Sequence, residues 1–221
     1  GSRSTLDYDG SSSNVIDFAG DAAFVTLRDL FWDPTNPAID AIKIKAGHDL
    51  TIEGCTFEGI GGISISANSS SVERIVVRDN VFRDLQATGL YFGCHDGEGC
   101  HATDVLVEGN LIDGVDSDAV GYGLEVKLNS WAVIRDNTVY DTKGPGLMVY
   151  GSNRGDPPSV VEGNYVEGSR NDGAIVVGGG PAIVRNNVTL GGNIGGIVAQ
   201  DYGGRGLQQD VWIVHNTSFQ N

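Results

Sequence analysis

One short phrase built around an Asn residue recurs along most of the chain. It reads VRDNVFRDL from Val77, and its near-copies are VEGNLIDGV from Val107, IRDNTVYDT from Ile134, VEGNYVEGS from Val161, VRNNVTLGG from Val184 and VHNTSFQN from Val214. With the Asn as marker, the equivalent positions are Leu30, Cys55, Asn80, Asn110, Asn137, Asn164, Asn187 and Asn216, which lie 23 to 30 residues apart. Self-similarity at such a period predicts a repeat architecture.

Each repeat has the pattern of short strands. Runs such as GISIS from Gly62, GLEVK from Gly123 and GLMVY from Gly146 alternate between the two faces of a strand. A second run leads to the Asn and a third, shorter run follows it. Three short strands per repeat and no helix-period segment predict an all-β solenoid whose coils stack about 4.8 Å apart.

The recurring Asn has a physical reason in such a stack. An Asn at the same place in successive coils can hydrogen-bond to the Asn above and below, because its amide both donates and accepts. We therefore predict an Asn ladder that satisfies polar groups at a bend and holds the coils in register.

Composition limits the classes of function. The 221 residues carry a formal net charge of −15, and 40% of them are hydrophobic. That share is too high for a disordered chain, and the negative charge disfavours nucleic acid or an anionic membrane as partner. No apolar run reaches the ~18 residues of a membrane span. We expect one β-helix domain over residues 1–221 and, because the chain opens on GSRS and ends within a repeat, part of a longer protein.

Three cysteines are too few for a disulfide framework. Cys94 and Cys100 bracket a short loop, which they could close as a disulfide in an exported protein or hold together through zinc. Cys55 takes an Asn position of the repeat, so we predict a buried free thiol.

These repeats, from about Asn14 to Asn221, resemble the right-handed parallel β-helix proteins of the pectate-lyase-like superfamily. The resemblance implies a single-stranded helix of about seven to eight coils and an exported protein, whether secreted, periplasmic or on the cell surface. It also implies sugar binding along the outside of the sheet formed by the first strand of each coil. The superfamily includes polysaccharide lyases, polygalacturonases, uronate C5-epimerases and non-enzymatic surface proteins, so the fold does not select an activity.

Aligning the Gly-led strands predicts two outward columns on that sheet. The first column is Lys43, Ser64, Tyr91, Glu125, Met148, Ile175 and Val198, and the second is Lys45, Ser66, Gly93, Lys127, Tyr150, Val177 and Gln200. The middle coils therefore combine tyrosines with charged groups. Aromatic rings pack on the apolar faces of sugars while charged groups orient hydroxyls or carboxylates, so we predict a polysaccharide or oligosaccharide site here.

Long loops point to the same place, because loops on one side of a solenoid commonly wall its binding site. The residues that we expect to converge on the Glu125–Lys127 coil are His95, Asp96, Glu98, His101, Asp116, Asp118 and Tyr122, with Lys143 opening the next coil.

The favoured reaction is removal of the C5 proton of a uronate, which starts both β-elimination and C5-epimerisation. Lys127 is our candidate base, and Tyr122, Tyr150 or His95 the acid. A second cation would neutralise the substrate carboxylate, and Asp116 with Asp118 could hold Ca²⁺ for that purpose. The expected substrate contacts are Lys43, Lys45, Tyr91, Glu125, Lys143 and His101. Glu125 also favours the charged form of Lys127, which suits carboxylate binding better than proton abstraction.

Two alternatives remain open. A non-catalytic β-helix could bind glycan or serve as a structural surface protein. A glycoside hydrolase could use paired carboxylates among Asp116, Asp118 and Glu125.

A second outward column is apolar. It comprises Val76, Leu106, Val133, Val160, Ile183 and Trp212. Six apolar residues facing water on consecutive coils are unusual for a monomer, so we expect loops, a partner subunit or a missing domain to cover them. A register shifted by one residue would instead turn the whole column inward.

Overall fold

A computed structural model describes residues 4–8, 14–33, 39–95, 97, 99–152, 155–202 and 208–221. Within these residues the chain forms short β-strands and no helix. This part of the chain therefore contains no helix that is long and apolar enough to cross a membrane. The strands are β1 Ser4–Leu6, β2 Ile16–Phe18, β3 Ala23–Arg28, β4 Leu30–Trp32, β5 Ile42–Ile44, β6 His48–Glu53, β7 Thr56–Glu58, β8 Ile65–Ala67, β9 Val72–Arg78, β10 Val81–Leu85, β11 Leu90–Phe92, β12 Ala102–Glu108, β13 Leu111–Val115, β14 Leu124–Val126, β15 Ala132–Arg135, β16 Thr138–Thr142, β17 Leu147–Val149, β18 Ser159–Glu162, β19 Tyr165–Glu167, β20 Ile175–Val177, β21 Ala182–Arg185, β22 Val188–Leu190, β23 Ile197–Ala199, β24 Val211–Val214 and β25 Thr217–Phe219.

Every third strand belongs to the same parallel sheet. The first sheet runs from β2 to β23, the second from β3 to β24 and the third from β1 to β25. Each strand pairs with its equivalents one coil before and one coil after it. The predicted all-β parallel solenoid of about eight coils is confirmed.

The Asn ladder is confirmed as well. The side-chain oxygen of Asn137 accepts hydrogen bonds from the backbone N–H of Asn110 at 3.0 Å and from its Nδ2 at 2.9 Å. Nδ2 of Asn137 in turn donates to the backbone oxygens of Val107 and Arg135 and to Oδ1 of Asn164. The same pattern links the marker residues from Asn80 through Asn216. The ladder therefore satisfies both its own amides and the backbone at the bend between the second and third sheets.

Cys55 replaces the ladder Asn without breaking the column. Its backbone N–H donates to Oδ1 of Asn80 at 2.9 Å, while its buried thiol donates to the carbonyl of Glu53 at 3.3 Å. The predicted buried free cysteine is confirmed, and burial raises the pKa of its thiol.

The core lies inside the coils and is filled by columns of inward-facing side chains, in which equivalent residues of successive coils lie one above another. In the third sheet Trp32, Phe57 and Phe82 stack face to face, with ring centroids 4.4 and 4.7 Å apart. The next two coils carry Ile112 and Val139 at the same place. Parallel in-register stacking places like side chains over like, so each column behaves as a continuous apolar seam.

Outside the second sheet a column of charges alternates in sign from coil to coil. It reads Arg28, Glu53, Arg78, Glu108, Arg135, Glu162 and Arg185, two residues before each ladder position. Arg135 donates to Glu108 at 2.6 Å and Arg78 to Glu53 at 2.6 Å, and Arg185 pairs with Glu162. Each charge therefore stacks on a coil of opposite charge.

The next residue alternates too, between Asp and Gly in a left-handed backbone. Asp79 and Asp136 have φ of +55°, and Gly109 and Gly163 have φ of +65° and +66°. A Cβ on Gly109 would lie 2.6 Å from Oδ1 of Asp79. The Asp side chain thus occupies the space above the next coil, which explains why Arg-Asp-Asn alternates with Glu-Gly-Asn.

The apolar column of the second sheet faces outward as predicted. Val76, Leu106, Val133, Val160, Ile183 and Trp212 pair in register on successive coils. They are partly exposed, and Trp212 is 66% exposed, whereas the neighbouring inward residues such as Val107 and Ile134 are fully buried. A one-residue shift of register is excluded, and what covers the column stays a prediction.

Replacing a central ladder residue should destabilise the fold strongly. We expect Asn137→Ala to lower the free energy of unfolding by roughly 2–4 kcal/mol, because several buried backbone and amide groups lose their partners. Asn216→Ala, in the last coil where water reaches the bend, should cost about 1 kcal/mol. Urea denaturation of both variants checks this, and equal losses would contradict a cooperative buried ladder.

Candidate functional site

The first sheet brings together the two outward columns, with a correction to their membership. The first column is Lys43, Ser66, Tyr91, Glu125, Met148, Val176 and Val198. The positions predicted for Ser64 and Ile175 were therefore wrong, as were those for Ser66 and Val177 in the second column. Val177 pairs with Val149 and faces the core. The error arises because β8 and β20 begin at Ile65 and Ile175, which do not directly follow the leading Gly62 and Gly173, so their turns are longer than the alignment assumed.

A pocket of about 410 Å³ opens on the middle coils of this sheet. It is lined by Ile63, Ala87, Thr88, Tyr91, His95, Ser117, Ala119, Val120, Tyr122, Glu125, Lys127, Tyr150 and Tyr202. Six predicted residues, namely Tyr91, His95, Tyr122, Glu125, Lys127 and Tyr150, thus meet in one place. We call this the tyrosine pocket.

Glu125 and Lys127 form a buried ion pair in the wall of the tyrosine pocket. Nζ of Lys127 lies 2.6 Å from Oε2 of Glu125, and their side chains are 5% and 2% exposed. Oε2 is buried and has no other partner among the described residues, so the Lys127 ammonium is the charge that offsets its burial. Burial raises the pKa of the Glu125 carboxyl, and the Lys127 ammonium opposes that rise.

Tyrosine rings surround the ammonium. Nζ of Lys127 lies 4.4 Å from the ring centroid of Tyr150, 5.0 Å from that of Tyr91 and 5.7 Å from that of Tyr122. A cation over several ring faces is stabilised in its charged form, by about 0.5–2 kcal/mol per ring. The three rings and Glu125 therefore hold Nζ of Lys127 in one place in the pocket wall, an arrangement that suits contact with an anion.

The two buried tyrosine hydroxyls bond to each other. Oη of Tyr122 and Oη of Tyr150 are 2.9 Å apart, and either can be the donor. Burial raises the pKa of both phenols, so they remain protonated and can give a proton rather than take one. Tyr202, which the sequence pattern did not reveal because it lies in a loop after β23, packs edge-on at 5.3 Å from Tyr150.

Glycines on the coils before and after them make room for Lys127 and Tyr150. Gly93 precedes Lys127 in the second column, and a Cβ there would lie 3.1 Å from Cβ of Lys127 and 2.4 Å from Oγ of Ser130. Gly178 follows Tyr150, and its Cβ would lie 3.0 Å from Cε of Met148. Buried Met148 and Val176 form an apolar floor beside the tyrosines.

The loops close much of the outward face. A disulfide joins Cys94 to Cys100, which confirms the loop staple over the zinc alternative and holds exposed His95 at the rim of the pocket. Residues Ser117 to Tyr122 form the opposite wall. Asp96 and Glu98, which we expected in the same loop, lie outside the described residues.

The other predicted residues are not among those that line the pocket. Lys43 contacts Asp40 and Asn68, Lys45 pairs with Asp17 at 2.5 Å, and Lys143 donates to the carbonyl of Ser117. The backbone N–H of His101 donates to Oγ of Ser71 at 3.2 Å on the second sheet side.

Asp116 and Asp118 are exposed, and Asp116 pairs with Arg170 at 3.2 Å. No group of three His, Cys, Asp or Glu side chains suited to a metal ion occurs within the residues described. Calcium binding by these two aspartates stays a prediction.

Breaking the buried pair on one side should be costly. We expect Lys127→Met to lower the free energy of unfolding by about 3–5 kcal/mol, because Glu125 is left buried beside an apolar group. The double variant Glu125→Gln/Lys127→Met should recover much of that loss. A double-mutant cycle by chemical denaturation measures the coupling, and additive losses would contradict a coupled pair.

The stability of the fold should depend on pH through the Glu125 carboxyl. Since its pKa is raised above the ordinary 4.5, the folded chain holds this proton more tightly than the unfolded chain. Its contribution is greatest below pH 4.5 and falls as pH rises through the folded-state pKa. We therefore expect the wild type to lose stability relative to Glu125→Gln as pH rises from 4.5, in paired denaturation curves. A difference that grows in favour of the wild type would contradict the raised pKa.

Comparison with known proteins adds one finding. The family model described as right-handed beta helix region matches residues 35–116 and 95–189, which together span more than half of the chain. No curated protein and no solved structure matches the chain.

Proposed function

The chain belongs to the right-handed β-helix family, and we propose that it is a carbohydrate-active enzyme that removes the C5 proton of a uronate in a polysaccharide. The family's fold is compatible with carbohydrate-active proteins, but it does not choose a reaction. The observation that carries the proposal is the Glu125–Lys127 pair in the wall of a pocket lined by four tyrosines.

Lys127 fits the role of carboxylate binder in this proposal. Its ammonium is the one positive charge among the described lining residues, leaving aside titratable His95. A uronate carboxylate placed beside it would have its charge neutralised, which makes the neighbouring C5 proton more acidic. This supports carboxylate binding better than the role of base that the sequence suggested.

Glu125 is then the better candidate for the base. A desolvated carboxylate with a raised pKa is a stronger base than an exposed one, and a catalytic pKa nearer to the working pH is more efficient. The carboxylate takes the C5 proton, and the electron pair moves into the substrate carboxylate as an enolate facing Lys127.

The tyrosine hydroxyls would complete either outcome. In a lyase the bond from C4 to the leaving oxygen breaks, and Tyr122 or Tyr150 protonates that oxygen. In an epimerase the same hydroxyl returns a proton to the opposite face of C5. Burial raises the pKa of both phenols, so each holds the proton that this role requires but is a weaker acid than a free tyrosine, and His95 at the rim is the alternative donor.

The disulfide supports an exported protein, because such bonds persist in oxidising compartments. Secretion, the periplasm or the cell surface would bring the site to extracellular polysaccharide.

A non-catalytic glycan binder is the second candidate. It is favoured by the depth of the ion pair, since both charged groups are already partnered and almost fully covered. The hydrolase alternative has less support, because Glu125 is the only carboxylate among the described residues that line the pocket.

Deuterium uptake at C5 separates the candidates. We expect oligouronates from alginate, pectate or glycosaminoglycans to exchange the C5 proton in heavy water, followed by mass spectrometry, with an ultraviolet-absorbing unsaturated product for a lyase. Glu125→Gln should lower the rate by roughly 10²-fold or more while binding persists. Lys127→Met should weaken binding of the oligouronate itself.

Lys45→Met is the matched control, because it removes a lysine of the same column outside the pocket, and it should leave both quantities unchanged. Binding without exchange across the panel would favour the non-catalytic candidate. Exchange that survives Glu125→Gln but disappears in Lys127→Met would return Lys127 to the role of base.

A further inference from the structure

A second pocket, of about 340 Å³, lies at the corner between the first and second sheets in the opening coils. It is lined by Gly20, Asp21, Gly47, His48, Ser71, Val72, Glu73 and Thr103. These residues come from the turns before β3, β6 and β9, from the first residues of β6 and β9 and from β12, so four successive coils build it. None of them lines the tyrosine pocket.

An exposed aromatic ring stands beside this corner pocket. Phe24 is 81% exposed, and its ring meets that of His48 edge-on with centroids 5.6 Å apart. Its backbone is left-handed, with φ of +56°. A bulky aromatic residue seldom takes this conformation. Because the ring is exposed, burial does not offset the strain. Strained backbone of this kind concentrates at binding sites, where the position of the side chain matters more than its stability.

Phe24 lies in a column of residues that share this left-handed backbone, and it differs from them in having no charge. The equivalent residues of the next three coils, Asp49, Arg74 and Asp104, also have φ of +53°. They are all charged, and Asp49 and Arg74 use the conformation to form an ion pair. Phe24 alone carries an apolar ring at this place.

His48 is held in one orientation by that ion pair. Arg74 donates to both oxygens of Asp49, at 2.9 and 3.0 Å, and lowers the pKa of Asp49 to about 2. An ionised carboxylate can only accept, so Nδ1 of His48, 2.6 Å from Oδ2 of Asp49, is the donor. Nε2 of His48 has no hydrogen bond to another described residue and is the ring nitrogen left for a ligand.

We propose that this corner pocket binds a neutral sugar ring. The apolar face of a pyranose would pack on Phe24, while Nε2 of His48 and the polar side chains of the lining bond to its hydroxyls. Asp21 and Glu73 add two negative charges beside Asp49, and Arg74, which contacts both Asp49 and Glu73, offsets one of the three. The remaining negative charge disfavours a uronate, so the ligand differs from the one proposed for the tyrosine pocket.

The test uses the intact chain with oligomers of glucose, mannose, galactose and xylose, and with oligouronates for comparison. Ligand-detected NMR and calorimetry measure binding. We expect one neutral series to bind, and Phe24→Gly and His48→Ala each to weaken it by roughly tenfold or more. Phe24→Gly also keeps the chain folded, because glycine adopts positive φ without strain, and its melting temperature should equal or exceed that of the wild type.

Two control variants test whether the ring at position 24 carries the binding. Phe24→Trp should retain binding, and Phe219→Ala, which removes another exposed ring, should not affect it. Saturating oligouronate should not displace the neutral oligosaccharide, so the result does not depend on the function of the tyrosine pocket. The proposal is overturned if no neutral oligosaccharide binds at millimolar concentration, if binding survives Phe24→Gly, or if oligouronate displaces the neutral oligosaccharide.

Discussion

Stacking in register is the constraint on which the rest of this molecule depends. Side-chain direction in a strand repeats every two residues, so a slip of one residue would turn each inward column outward. The column of side-chain hydrogen bonds from Asn80 to Asn216 opposes such a slip, because each Asn side chain hydrogen-bonds to the backbone and to the side-chain amide of its neighbours. Columns of like residues follow from this, and among them are the aromatic stack of the core, the apolar column and the two columns of the tyrosine pocket.

Both candidate sites occur where the repeat is interrupted rather than where it is regular. In the tyrosine pocket, glycine at Gly93 and Gly178 leaves space on either side of Lys127 and Tyr150, and a disulfide-closed loop supplies the rim. In the corner pocket, Phe24 replaces a charged residue in a column of left-handed backbone. A regular solenoid presents a flat face, so departures from the repeat create the concave surfaces.

The sequence predicted the architecture well and the sites only in part. The ladder positions, the outward apolar column, the buried thiol of Cys55 and the closed Cys94–Cys100 loop were readable, because each depends on spacing that repeats. Ser64 and Ile175 were misplaced, since the length of a turn is not encoded in the strand pattern. The burial of Lys127 and the presence of Tyr202 depend on how loops fold over the sheet, and Phe24 depends on a backbone angle. Loop folding and a single backbone angle leave no periodic signal in the sequence.

The alternation of Arg-Asp-Asn with Glu-Gly-Asn limits how such a chain can change its length. Deleting one Glu-Gly-Asn coil would bring two guanidinium groups together and set two Asp side chains into the same space, and deleting one Arg-Asp-Asn coil would bring two carboxylates together. Inserting or deleting two coils would preserve both patterns. The unit of growth by tandem duplication is therefore a pair of coils, and descendants of this chain should differ from it by an even number.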